Sequence, residues 1–211
     1  GIEALANQRG GGAVLFEEDF SNGFAGSNGN GAWTSSDNAN DSAWVYVGGD
    51  GMGTYSSGNA TGVEHPGGEF STNIGLLESE TADNGWMIFD SDFYNTPIDA
   101  GYQDMDGSLT SPVIDFSAAG SVILNWTQYF RYCCFPYAPI YVDVTNDGGD
   151  TWTTFDAHGS FIEAANVASA NPLPTALDIS CVAAYQAAVQ FRFTYTQAPE
   201  TGNAYSHYYW G

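Results

Sequence analysis

The chain has 211 residues, of which 43% are apolar and 15% aromatic, enough to bury one large hydrophobic core. Its 25 acidic residues face three arginines and no lysine, which gives a formal net charge of −22. That charge repels nucleic-acid phosphates and anionic lipid, so neither is expected as a partner. No apolar run approaches the ~18 residues that span a membrane, so no membrane insertion is expected. The acidic surface serves solubility, calcium binding, or both.

Strands are predicted along almost the whole chain, because apolar and polar residues alternate with a period of two. The glycine-rich segment 1–12 is expected to be flexible. Residues 161–170 are the best helix candidate, and the Gly-, Asn- and Ser-rich stretch 21–41 and residues 48–73 are expected to be surface loops. In chain order the predicted strands cover residues 13–16, 44–47, 74–78, 86–90, 108–115, 121–132, 140–144, 152–156, 175–179 and 188–196.

About ten short strands without a long helix predict an all-β fold. The expected architecture is an antiparallel β-sandwich of jelly-roll type, formed as a single domain by residues 13–211. No internal repeat and no linker divides this range.

The stretch TNDGGDTW, residues 145–152, lies between two predicted strands and fits the pattern of an Asp-box turn. Asp147 is expected to accept backbone N–H groups within the loop, and Gly148 or Gly149 to take a positive φ. Trp152 is expected to pack beneath the turn. The pattern therefore predicts a structural role for Asp147, Gly149 and Trp152 rather than a catalytic one.

Three cysteines are present, the adjacent pair Cys133 and Cys134 and the distant Cys181. No spacing suggests zinc. In an oxidising environment Cys181 could pair with Cys133 or with Cys134, and a strained vicinal bridge within the pair is the less favoured alternative.

An ordered set of motifs resembles a known family from about Phe16 onward. The motifs are LFEEDFSNGF (15–24), NGWMIFDSD (84–92), GSLTSPVIDFS (107–117), VILNWTQYFR (122–131), VDVTNDGGDTW (142–152), ALDIS (176–180), VQFRFTY (189–195) and YYWG (208–211). In this order they resemble the MAM-like, cleaved-adhesin type of jelly-roll domain of secreted multidomain proteins of Bacteroidota, often exported by type IX secretion.

The resemblance implies an extracellular, calcium-stabilised accessory module. In similar domains an acidic residue of the first strand and one near the end of the last strand share a calcium ion. Matched onto this sequence, the first is Glu18, with Glu17 and Asp19 as neighbours. The second would follow Gly211, which implies a longer polypeptide continuing past residue 211.

Calcium is also predicted from the residues themselves. Asp90 and Asp92 are one residue apart in FDSD, and Asp104 and Asp106 are one residue apart before a glycine. Each pair can place two carboxylates in one loop, and calcium prefers six to eight oxygen ligands from carboxylates and carbonyls. Either pair could instead cap an Asx-turn.

The predicted function is calcium-dependent adhesion or carbohydrate binding, with surface or matrix glycans, or neighbouring surface-protein copies, as partners. Aromatic side chains stack on sugar rings, and Trp33, Trp44, Tyr94 and Tyr102 are the candidate contacts in predicted loops. No serine-hydrolase elbow, zinc-peptidase motif or phosphate-binding loop is present, so no catalytic residue is predicted. A filament or surface-layer subunit and, less favoured, a glycan-active hydrolase remain the alternatives.

Overall fold

The computed structural model describes residues 1–6, 13–39, 42–48, 78–94, 105–132, 140–162, 164, 166–197 and 207–211. Within these ranges the chain forms 13 strands, two one-turn α-helices, α1 (Ser91–Tyr94) and α2 (Ser180–Ala183), and two 3-10 turns at Gly23–Ala25 and Ala82–Asn84, so the all-β prediction is confirmed. None of these helices is long and apolar enough to cross a membrane. The strands are β1 (Ile2–Ala6), β2 (Ala13–Glu18), β3 (Thr34–Ala39), β4 (Val45–Gly48), β5 (Gly85–Ile88), β6 (Met105–Thr110), β7 (Ile123–Gln128), β8 (Phe130–Tyr132), β9 (Ile140–Thr145), β10 (Thr153–Asp156), β11 (Leu173–Asp178), β12 (Gln190–Gln197) and β13 (His207–Trp210).

Two antiparallel sheets form the body of the domain. One has four strands in the order β11-β7-β1-β2, and the other has five in the order β10-β9-β12-β6-β3. Two small ribbons, β13-β8 and β4-β5, complete the described structure. The antiparallel β-sandwich is therefore confirmed, and the jelly-roll connectivity stays a prediction.

Aromatic side chains join the inner faces of the two sheets. Phe16 of β2 contacts Phe191 of β12 edge to face, with ring centroids 6.0 Å apart. Trp126 of β7 contacts Phe193 of β12 in the same way at 5.7 Å. Such edge-to-face pairs add about 0.5–1.5 kcal/mol each beyond the burial of their area.

The prediction of a flexible segment over residues 1–12 is wrong for its first part. Ile2–Ala6 form β1, which lies between β7 and β2 and pairs with both. Ile2 and Ala4 are buried in the core, and this burial offsets the entropy of ordering the strand. Residues 7–12 lie outside the described part of the chain.

Several predicted boundaries also differ. The expected loop over 21–41 contains β3, whose Thr, Ser and Asp residues pair with β6 and lack the apolar alternation that marks a strand. The expected strand over 121–132 divides at Tyr129, because β8 leaves the sheet to pair with β13. No helix forms in the described part of 161–170, where Ala168 bridges to Arg131. The strand predicted at 74–78 and the loop at 48–73 fall almost wholly outside the described residues.

Candidate functional site

The outer face of the five-stranded sheet carries a continuous set of polar side chains. In β9, Ile140, Val142 and Val144 point into the core, so Tyr141 and Asp143 point outward. The same alternation in β12 sends Arg192 and Thr194 outward. We call this surface the polar face; it comprises Thr34, Ser36, Asp106, Ser108, Thr110, Tyr141, Asp143, Trp152, Thr154, Asp156, Arg192 and Thr194.

Strand register aligns the polar face into rows. Thr154, Asp143, Arg192 and Thr110 are successive cross-strand partners across β10, β9, β12 and β6. Directly opposed side chains have Cβ atoms roughly 4.5–5.5 Å apart, within reach of hydrogen bonding. The register thus brings a carboxylate, a guanidinium and two hydroxyls into one line.

Asp143 is the centre of this row and is 4% exposed. Its Oδ1 accepts the Thr154 hydroxyl at 2.7 Å, and its Oδ2 accepts the Thr194 hydroxyl at 2.7 Å and Arg192 Nε at 2.9 Å. A buried charge is tolerated only when it is paired and hydrogen-bonded, and both conditions are met here.

Arg192 is held on two sides. Its Nε edge binds Asp143, and its guanidinium carbon lies 4.1 Å from the ring centroid of Trp152. The side chain is 29% exposed, and among the described residues its terminal nitrogens have no hydrogen-bond partner. A guanidinium fixed along one edge and one face presents its remaining donors in a defined direction.

The Asp-box loop holds Trp152 in place over Arg192. Asp147 Oδ1 accepts the Thr145 hydroxyl at 2.6 Å and the Thr151 amide at 3.0 Å. Hydrogen bonds from Thr145 and Thr151 hold the pKa of Asp147 far below its ordinary value. Trp152 Nε1 then donates to the Gly149 carbonyl at 3.1 Å, which seats the indole under the turn.

Glycine is required in this loop for conformational reasons. Gly148 and Gly149 have φ values of +78° and +97°, in the region that residues with a Cβ rarely adopt. Asp147 therefore fixes the turn that positions Trp152.

Access to the polar face is uneven. Thr194 and Ser108 are buried, whereas Thr34 and Thr154 are exposed and Thr110 is half-buried. Tyr141 is half-buried beside this row. Burial raises the pKa of Tyr141, and the negative charges of Asp156 and Asp143 raise it further. The accessible surface therefore includes the Tyr141, Trp152 and Arg192 side chains, the exposed Asp156 carboxylate and the flanking threonine hydroxyls.

Glu18, the first predicted calcium ligand, lies at the opposite side of the sandwich and is fully buried. Its Oε1 accepts the amides of Phe20 and Ser27 at 2.7 and 3.1 Å. Its Oε2 accepts the Ser27 amide at 3.0 Å and Trp33 Nε1 at 2.9 Å. Three N–H donors thus occupy its two oxygens, because the Ser27 amide is shared between them. These bonds give Glu18 a structural role, and its role as a calcium ligand stays a prediction.

Its neighbours face outward into an acidic cleft, which we define by Glu3, Glu17, Asp19 and Glu80. Glu3 and Glu17 are directly opposed across β1 and β2, an arrangement in which like charges repel. Burial alone would raise the pKa of Asp19, but hydrogen bonds from Ser21, Ser27 and Asn84 lower it below its ordinary value.

The other predicted metal ligands do not join this cleft. Asp90 is buried after β5, at the opposite end of that strand from Asn84, which bonds Asp19 at 3.0 Å. Asp106 is half-buried on β6, on the polar face. The Asp92 side chain and Asp104 lie outside the described residues. In the described part of the chain, no three His, Cys, Asp or Glu side chains are grouped so as to hold a metal ion.

The predicted ligand-binding aromatics are placed differently from the expectation. Trp33 and Trp44 are 3% and 5% exposed and belong to the core, where their N–H groups donate to Glu18 and to the Gly107 carbonyl. Burial leaves neither ring a face for a sugar, so the expectation is corrected for both. The Tyr94 hydroxyl donates to the Ala43 carbonyl at 2.7 Å, and Tyr102 lies outside the described residues.

The predicted disulfide falls partly outside the described residues, because Cys133 and Cys134 are not among them. Cys181 is the second residue of α2, and its thiol is free and exposed. The pairing of Cys181 with Cys133 or Cys134 stays a prediction.

The sequence contained a usable signal for the polar face. Period-two alternation already placed Tyr141, Asp143, Arg192 and Thr194 on outward positions. The sequence pattern favours loop aromatics as ligand contacts, however, and the pairing of β9 with β12 that joins Asp143 to Arg192 is a long-range register.

Neither a protein-family model nor a curated protein matches the chain. Among solved structures, it is similar to a cleaved adhesin domain of Lys-gingipain from Porphyromonas gingivalis. The two are 19% identical, the match covers 85% of this chain and 94% of that chain, and the TM-score is 0.31. A TM-score of this size does not establish a common fold, so the family resemblance stays a prediction.

Proposed function

We propose that this protein is a non-catalytic, extracellular binding module that holds a glycan on its polar face. The observation that carries the proposal is Arg192, fixed between Asp143 and Trp152 with its terminal donors directed away from both. Around it are exposed threonine hydroxyls and the half-buried Tyr141 ring.

These groups match the chemistry of a sugar. A hexose ring has apolar C–H faces that stack on aromatic side chains, and a rim of hydroxyls that both donate and accept hydrogen bonds. A binding site needs only a few convergent polar groups beside such a surface. By binding such a glycan, the module would attach its protein to a cell surface or to an extracellular matrix.

Binding is tested with Tyr141→Ala and a matched control, Tyr185→Ala, measured by affinity electrophoresis against a panel of neutral and acidic polysaccharides. Tyr185 is 69% exposed and follows α2, outside the polar face. We expect Tyr141→Ala to weaken binding about tenfold, corresponding to ~1.4 kcal/mol, and Tyr185→Ala to leave it unchanged. Equal effects of the two substitutions, or no retardation by any polysaccharide, would contradict the proposal.

Calcium is proposed as a separate stabiliser, with ligands drawn from the predicted group around Glu18 and from Glu3, which was not predicted. The opposed Glu3 and Glu17 support it, because a divalent cation between them would relieve their repulsion. Glu17 and Asp19, rather than Glu18, would then supply side-chain oxygens. So few protein ligands favour a dissociation constant of about 0.1–1 mM, as in many extracellular modules.

The calcium proposal is tested by thermal unfolding in about 2 mM calcium against excess chelator. Ligand linkage predicts that calcium raises the free energy of unfolding by roughly 0.6–1.8 kcal/mol. Glu17→Gln is expected to remove the effect. A full shift in Glu17→Gln would assign the ion to other residues, and no shift in the native chain would exclude a stabilising site.

A filament would be supported by a segment 1–12 that pairs with a neighbouring copy. Ile2–Ala6 instead occupy an interior position of their own sheet, hydrogen-bonded to β7 and β2. This strand is therefore engaged within its own chain, which favours the glycan partner over neighbouring copies.

A further inference from the structure

The terminal nitrogens of the Arg192 guanidinium are the donors that a ligand on the polar face would contact. Its Nε is used by Asp143, and one face of the guanidinium is covered by Trp152. The two terminal nitrogens therefore remain available to a ligand. Together they form a planar fork that can donate to two adjacent oxygen atoms at once. A ligand at this position must therefore offer a pair of neighbouring acceptors.

The charge around Arg192 determines whether the two acceptor atoms of the ligand are neutral or negatively charged. Asp143 cancels the charge of Arg192 at 2.9 Å, so the fork offers hydrogen bonds with little net positive potential. Asp106 and Asp156 lie on the same face, and the whole chain carries −22. A carboxylate or sulfate group on the ligand would approach a negative surface, which lowers both its affinity and its association rate.

We propose that Arg192 selects a neutral polysaccharide by donating from its terminal nitrogens to two neighbouring hydroxyl oxygens of one sugar ring. This inference rests on the proposed glycan-binding function and adds the class of glycan. Arg192 is then the specificity-determining residue of the polar face, and Trp152 is the residue that positions it. Tyr141 provides the stacking surface beside it.

Two consequences distinguish a neutral ligand from an acidic one. Binding through hydroxyls should change little between about 50 and 500 mM salt, because no ion pair is screened. Binding of a uronic-acid polymer through Arg192 should fall steeply over the same range. The chemical shape of the fork also matters, because lysine retains the charge but cannot donate to two oxygens in the same plane.

The experiment is isothermal titration calorimetry with matched neutral and uronic-acid oligosaccharides of the same linkage, chosen from the polysaccharides that retard the protein. The variants are Arg192→Lys, which can still pair with Asp143, and the control Asp150→Asn, which removes an exposed charge outside the polar face. Circular dichroism melts confirm that each variant folds.

We expect the neutral oligosaccharide to bind at least tenfold more tightly than its acidic counterpart, with no salt dependence. Arg192→Lys should weaken neutral binding at least tenfold, and Asp150→Asn should leave it unchanged. Tight, salt-sensitive binding of the acidic oligosaccharide that is lost in Tyr141→Ala would overturn this inference and leave glycan binding intact. Failure of every oligosaccharide to bind would overturn both.

Discussion

Glu18 and Asp143 are both buried carboxylates, one in each sheet, but their hydrogen-bond donors come from different sources. Glu18 is surrounded by N–H groups of its own loop, from Phe20, Ser27 and Trp33, which lie within 15 residues of it in the chain. Asp143 is satisfied by side chains from two neighbouring strands, among them Arg192, 49 residues away. Glu18 thus organises a local turn, and Asp143 joins strands that are distant in sequence.

This difference in donors also gives the two carboxylates different roles, one structural and one linked to the proposed binding surface. Every donor at Glu18 is buried in the protein and is used by the carboxylate, so none of these N–H groups is available to a ligand. At Asp143 one of the donors is a guanidinium with two further nitrogens directed to the surface. A buried carboxylate has a structural role when all hydrogen-bond donors of its partners are used within the protein. It has a positioning role when one of its partners still has donors available to a ligand.

Replacing Glu18 by Gln should cause the largest loss of stability. The amide nitrogen of Gln would face N–H donors, and the charged hydrogen bonds would be lost in a site with no water to replace them. We expect the free energy of unfolding to fall by about 3 kcal/mol, which lowers Tm by roughly 6–12 °C, as measured by calorimetry.

The exposed neighbour Glu17 is the matched control. Glu17→Gln in chelator should change the free energy of unfolding by no more than about 0.5 kcal/mol, because surface substitutions rarely do more. A similar loss in both variants would show that charge, rather than the local hydrogen bonds, accounts for the role of Glu18. Glycan affinity should be unaffected in either variant.

Asp143→Asn should have a smaller effect on stability and an additional effect on binding. Asparagine keeps one acceptor oxygen but loses the charge that fixes Arg192, which is partly solvated and can relax. We expect the free energy of unfolding to fall by about 2 kcal/mol and glycan affinity to fall with it. Titration calorimetry on folded protein separates the two effects.

The exposed Asp150 offers the control, because Asp150→Asn removes an equal charge from the Asp-box loop without touching Arg192. An Asp143→Asn variant that binds glycan with native affinity would break the comparison, since both buried carboxylates would then be purely structural.

The sequence predicted the fold class well because period-two alternation is a local property. The outward positions of Tyr141, Asp143 and Arg192 follow from it directly. The Asp-box turn is equally local, since its hydrogen bonds span two to four residues.

The rest depended on contacts that the sequence does not encode locally. Trp33 was expected at a loop surface, but its indole reaches back 15 residues to Glu18 and packs against Phe191 at 5.7 Å. Ile2–Ala6 were expected to be flexible because the segment is rich in glycine, yet β7, more than 100 residues later, supplies the partner strand. In both segments tertiary burial outweighs the local composition.

Asp147 is the exposed counterpart of the two buried carboxylates, and it should produce the smallest and most pH-specific effect. Its lowered pKa means that its ionised form stabilises the folded state at neutral pH. This contribution is fully present above the ordinary carboxyl pKa of about 3.9, and it is lost as the pH falls below that value toward the folded-state pKa.

Asp147→Asn should therefore lower Tm at pH 7 and approach the native Tm as the pH is lowered below about 4. Calorimetry across the acid range measures this convergence, with Asp150→Asn again as the control for lost charge. Trp152 fluorescence on the same samples reports whether the indole leaves its place over Arg192 when the turn loosens. If Asp147→Asn lowers Tm equally at every pH, its hydrogen bonds do not depend on the ionised carboxylate. If Tm converges and the indole moves, a local turn controls the residue that positions Arg192, and the stability of the Asp box is linked to the ligand-binding geometry of the polar face.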